Sequence, residues 1–239
     1  MPKKQKKSIM PKALILGCSH ATGAEMFMHT DRDNNDGYLH SYPAQIARAL
    51  GFTIENRAIS GGSNDAMYRI FESEQKNLTK DDIVIACWTG SNRTEVYSDE
   101  DDAWVSFCAG IETFYCNKTL HFNDPNKIKD QTLYHYLMKQ WITHDSNSWR
   151  WRINKIKNIV ALNSIAILRD ITVLNFYSFN HIDYTEGYDI YDFEWPVGCT
   201  EFTTWAHEQG FERTSLGHYY LDAHKAFCEY VLTNKNKSV

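Results

Sequence analysis

The stretch ALILGCS, residues 13–19, is an apolar run that stops at Gly17 and gives way to Cys18, Ser19 and His20. A short, near-continuous apolar run without polar alternation marks a strand buried on both faces, as in a parallel sheet covered by helices. Two more runs share the pattern, DIVIACW (82–88) and ITVLNFYS (171–178), and TIENRAIS (53–60) supplies a fourth, more polar strand. The question is why a thiol, a hydroxyl and an imidazole follow one another on the lip of a buried strand.

Helical patterns separate the strands. SYPAQIARALG (41–51) has Ser41 as N-cap, Pro43 in the first turn, an Ile46/Ala49/Leu50 stripe and Gly51 as the stop. NDAMYRIFESEQKNL (64–78) repeats the theme with Met67, Ile70 and Phe71. SWRWRINKIKNIVALNSIAILRD (148–170) predicts one long helix, and DAHKAFCEYVLT (222–233) a closing helix with Ala223, Phe227, Tyr230 and Val231 on one face. Strand–helix alternation of this kind predicts a doubly wound, flavodoxin-like α/β/α sandwich with a mainly parallel sheet. It forms a single domain over residues 12–234, after a disordered basic tail at 1–11. Residues 95–147 break the alternation with an acidic loop and then aromatic-rich segments, and read as a helical insertion.

Composition narrows the function classes. The chain has 239 residues, 43% hydrophobic, which suits one sizeable core. A net charge of -5 supplies no global field for nucleic acid or anionic lipid, and the lysines of MPKKQKKSIMPK read as a solvated tail. No apolar core follows those lysines, so they form no secretory signal, and no run reaches membrane-spanning length. The expected location is the cytoplasm. The six cysteines (18, 87, 108, 116, 199, 228) show no CxxC pairing and offer no zinc spacing. A chain rich in Asn, Lys, Ile and Tyr hints at an AT-rich genome such as a phage's.

Functional groups in open α/β sheets collect beyond the carboxyl ends of the strands. Here those ends carry Gly17-Cys18-Ser19, Ser60-Gly61-Gly62-Ser63-Asn64 and Gly90-Ser91-Asn92, while SLGHYYLDAH before the last helix holds His218 and His224. This ordered set resembles the SGNH hydrolases, the GDSL-type esterases and lipases. The resemblance covers roughly residues 12–232. It implies Ser19 as nucleophile, His218 as general base, and an oxyanion hole made of the Ser19 and Gly61 N–H groups and the Asn92 amide. It implies an ester substrate, of a small molecule or a glycan, and neither metal nor organic cofactor. A serine hydroxyl needs an adjacent base to become nucleophilic, and each oxyanion donor is worth roughly 10²–10³ in turnover.

Two positions depart from the family. Cys18 stands where the family has Asp, and Ser215 stands where an Asp three residues before the His orients its ring. The remaining choices are a Ser–His dyad, a backbone carbonyl, or Glu208, Glu212 or Asp222 as substitute. Each assignment has a plainer rival. Ser19 is also a helix cap, Gly61 and Gly62 also a turn, and Asn92 also a turn asparagine. Cys18 points to the opposite face, into the core. His20 reads as a polar residue at the mouth, and His224 as a packed or capping histidine in the closing helix. The acidic run 99–102 reads as a solvated loop. A binding or structural protein on the same scaffold, with catalysis impaired by the missing acid, is the alternative to an esterase or deacetylase.

Overall fold

The computed structural model describes residues 10–24, 26, 37–91, 93–100, 102–108, 115–116, 149–178, 200–214 and 217–234. Strand β1 (Lys12–Gly17) is followed by α1 (Ser19–Thr22), α2 (Gly37–His40), α3 (Tyr42–Ala49) and β2 (Thr53–Asn56). Then come α4 (Asn64–Glu74), β3 (Ile83–Trp88), β4 (Arg93–Ser98), β5 (Ala103–Cys108) and β6 (Tyr115–Cys116). The chain closes with α5 (Trp149–Leu168), β7 (Thr172–Tyr177), β8 (Thr200–Glu201), α6 (Phe202–Glu208) and α7 (Leu221–Asn234).

The sheet β2-β1-β3-β7-β8 is parallel at each of its pairings. That is the doubly wound order expected from strand–helix alternation, with its switch point between β1 and β3. Alternation along the strands sorts the core into two layers. Ala13, Ile15, Ile83, Ile85 and Cys87 meet Tyr42, Ile46, Ala223 and Phe227 from α3 and α7 on one face. Leu14, Leu16, Val84, Ala86 and Trp88 meet Met67, Phe71, Ile159 and Leu162 from α4 and α5 on the other. Both faces are covered, so the runs in β1 and β3 are apolar throughout. The expected three-layer α/β/α class is what is found.

Ser63 caps α4, its hydroxyl accepting the Ala66 N–H at 3.1 Å. Ser41 sits at the N-cap of α3 as expected, but its Oγ turns back to donate to the Tyr38 carbonyl at 3.3 Å. Another orphan donor of this helix start is taken from afar: Tyr42 N donates to His224 Nδ1 at 3.0 Å. A tertiary hydrogen bond thus ties the start of α3 to α7.

The insertion expected to be helical from about 95 to 147 begins instead as a three-stranded antiparallel sheet, β4-β5-β6. RTEVYS and AWVSFC carry β-branched and aromatic residues of high strand propensity (Thr94, Val96, Tyr97; Trp104, Val105, Phe107), and the acidic run between them supplies the turn. Of the expected insertion, residues 101, 109–114 and 117–147 lie outside the described residues, as does the tail at 1–9.

Candidate active site

Everything in the site hangs from the carboxyl end of β1. Gly17 is the last residue of that strand, and a Cβ there would lie 2.6 Å from Ala21 Cβ and 2.9 Å from Cys87 Cβ. Only glycine lets the chain turn directly from β1 into α1 against β3. Cys18, the N-cap residue of α1, is fully buried. Ser19 opens α1 and is 5% exposed. As the first residue of a helix its N–H has no carbonyl four residues back, and among the described residues it donates to no backbone acceptor.

The loop after β2 is laid over the same strand end. Arg57 N donates to the Ile15 carbonyl at 2.8 Å, and Ile59 N to the Gly17 carbonyl at 3.0 Å. The turn that follows separates the two glycines by role. Gly62 spends its N–H on the Ile59 carbonyl at 2.8 Å, and a Cβ on it would lie 2.8 Å from that oxygen. Gly61 has φ +73°, and its N–H makes no backbone hydrogen bond among the described residues. Gly61 is therefore the one whose donor is left for something else. Arg93 Nη1 reaches the Gly62 carbonyl at 3.5 Å and braces the turn from β4.

The loop after β3 is held by a residue that sequence reading passed over. Asn64, 1% exposed, accepts the Thr89 N–H at 3.0 Å and donates to the Thr89 and Gly90 carbonyls at 3.3 Å each. It stands in the same SGGSN block as Gly61, so one block supplies a bare N–H and clamps the neighbouring loop. Asn92, two residues on from Gly90, lies outside the described residues.

His218 comes from a tight turn before α7. Thr214 N donates to the His218 carbonyl at 2.7 Å, His218 N donates to Thr214 Oγ1 at 3.1 Å, and Gly217 takes φ +86°. An Arg213–Tyr219 bridge closes the turn, with Arg213 Nε donating to the Tyr219 hydroxyl at 2.7 Å. The half-buried His218 ring lies 5.0 Å, centroid to centroid, from that of His20. The structure thus brings His218 against the residue that follows Ser19, across almost the whole chain. Ser215 lies outside the described residues.

His20 is not at an open mouth as expected. It is 2% exposed, with its ring 5.6 Å from Phe202 in edge contact and 6.4 Å from Tyr219. Burial above all, then the nearby His218, His224, Arg93 and Arg213, hold its pKa well below the ordinary histidine value, so its imidazole is neutral. His224 is packed and capping at once, stacked on Tyr42 and accepting that residue's N–H. Its burial, reinforced by His218, lowers its pKa to about 3. Among the described residues no three His, Cys, Asp or Glu side chains are set to hold a metal ion, and no helix is long and apolar enough to cross a membrane.

Among curated proteins, none matches the chain in sequence. A solved structure of an acetyl xylan esterase, Est2A, from the rumen bacterium Butyrivibrio proteoclasticus superposes with a TM-score of 0.49 at 11% identity. The superposition covers 98% of this chain and 66% of that one, so the chain spans just under two thirds of that enzyme's length. A family model matches residues 28–201, a span that includes Gly61, Asn64 and Asn92 and leaves Ser19 and His218 outside it. By that match the chain belongs to DUF6071, a family of unknown function.

Proposed function

We propose that the protein is a serine esterase or deacetylase of the SGNH type, acting on a small acyl or O-acetyl group of a small molecule or glycan. The observation that carries the reading is the meeting of His218 with α1 at the carboxyl end of β1, where the Ser19 and Gly61 N–H groups make no backbone hydrogen bond among the described residues. Ser19 Oγ attacks the ester carbonyl while His218 takes the hydroxyl proton. The oxyanion is received by the Ser19 and Gly61 N–H groups and by the Asn92 amide. Collapse expels the alcohol, which leaves with the proton from His218, and water repeats the sequence to free the acid. A sugar hydroxyl in place of that water makes the same site an acyltransferase.

The test is labelling with a fluorophosphonate, which reacts with activated serines. The wild type labels, and Ser19→Ala and His218→Ala both abolish labelling. A folded wild type that stays unlabelled sinks the esterase reading. That outcome favours a binding protein on the same scaffold, a reading for which Ser215 in place of an acidic partner speaks.

A further inference from the structure

His20 is the buried titratable group that the mechanism above leaves unused. It follows Ser19 on α1, and its ring is 5.0 Å from that of His218 at an interplanar angle of 59°. Each imidazole nitrogen lies roughly 1.1 Å from the ring centre and an N–H···N bond spans about 3 Å, so two imidazoles bonded in line have centroids roughly 5 Å apart. The two rings are in contact, within reach of one N–H···N bond.

The chemistry of the two rings is complementary. A general base must present a bare nitrogen to the serine, so the other nitrogen of His218 carries the proton and needs an acceptor. A neutral imidazole offers one acceptor nitrogen. Burial above all keeps His20 neutral, helped by His218 and Arg213 from the turn before α7, His224 from α7 and Arg93 from β4, and the Tyr219 and Phe202 rings also face it. Among the described residues, the largest influences on it include no carboxylate.

We propose that His20 is the positioning residue of His218, accepting the ring N–H that faces away from Ser19. This rests on the esterase reading. His20 takes the place that an acidic residue at position 215 would hold, with one difference. A neutral acceptor fixes the tautomer and the ring's orientation, but supplies no negative charge when His218 becomes an imidazolium.

The experiment has two readouts. Nitrogen-resolved NMR of the histidine rings in the wild type shows His218 in a single tautomer, with a hydrogen-bonded ring N–H. His20→Phe, which fills the space without an acceptor, releases it to a tautomer mixture. Fluorophosphonate labelling of His20→Phe slows about 10- to 100-fold with a displaced pH midpoint, and His20→Asn or His20→Gln recovers part of the rate. A His218 that exchanges between tautomers in the wild type overturns the proposal whether or not a variant folds. So does a folded His20→Phe with wild-type labelling rate and midpoint. A wild type that never labels ends the esterase reading, and the NMR spectra still decide the His20–His218 contact.

Discussion

Gly61 and Gly17 show how much of the site depends on single atoms that are missing. At φ +73° Gly61 sits in the left-handed region, where a Cβ costs about 1–2 kcal/mol. Gly61→Ala is expected to lower stability by that amount and, on the esterase reading, to slow labelling by turning its N–H. A thermal melt beside a labelling time course checks both. Gly17→Ala is expected to be worse, by about 1–3 kcal/mol, because its Cβ would meet Ala21 and Cys87 within 3 Å and the backbone of two strands must part.

His224 titrates in a way that ties a residue to acid stability. Its pKa is near 3 in the folded protein, against about 6.5 in an unfolded chain, so between those values the unfolded state binds the extra proton. Stability is fully present above pH 6.5 and falls as the pH drops toward 3. The loss at pH 4 is on the order of 3 kcal/mol from this residue alone. Urea titrations at pH 7 and pH 4 check it. His224→Asn, which retains an acceptor for the Tyr42 N–H, is expected to flatten the dependence, and an unchanged slope would refute the assignment.

At the scale of elements, two short polar devices hold the loops in place. Asn64, the first residue of α4, keeps the chain after β3 in register through three hydrogen bonds to Thr89 and Gly90. Asn64→Ala strands the Thr89 N–H in a dry interior and is expected to cost about 1–3 kcal/mol, read from the denaturation midpoint. Asp65, its neighbour, joins three elements. Its carboxylate accepts from Thr94 Oγ1 of β4 at 2.7 Å and from Asn154 and Asn158 Nδ2 of α5 at 2.8 Å each. Arg69 adds a bidentate pair to Glu95 of β4, at 2.6 and 3.0 Å, and lies over the Trp104 ring. The antiparallel sheet is thus fastened to α4 by charge-assisted bonds. Asp65→Ala is expected to loosen β4 and α5 together, with a loss above about 2 kcal/mol.

At the scale of the whole molecule, the parallel sheet sets the order of stability. β1 and β3 are covered on both faces and paired on both edges, so their amides are expected to exchange slowest with solvent. The four-residue α1 and the two-residue β8 are expected to exchange fastest. Hydrogen-exchange mass spectrometry reads this directly. Fast exchange in β1 would mean that the site's foundation opens independently of the core.

The strands and helices were legible because burial on two faces forces an unbroken apolar run, and burial on one face forces a helical stripe. Both are local patterns that ALILGCS, DIVIACW and the α3, α4, α5 and α7 segments display openly. The β4–β5 hairpin was hidden because neither strand alternates in polarity and the acidic turn between them reads as a loop of its own. Ser19, Gly61 and His218 were legible as residue types at strand ends. Their surroundings were not, because the partners are distant in sequence. His20 meets His218 about two hundred residues away, and Tyr42 finds its cap in His224. Sequence determined the order of strands and helices and the chemistry available at their ends. Tertiary structure alone decided that the imidazole after Ser19 is dry, neutral and turned toward His218, because burial and long-range contact exist only once the layers have closed.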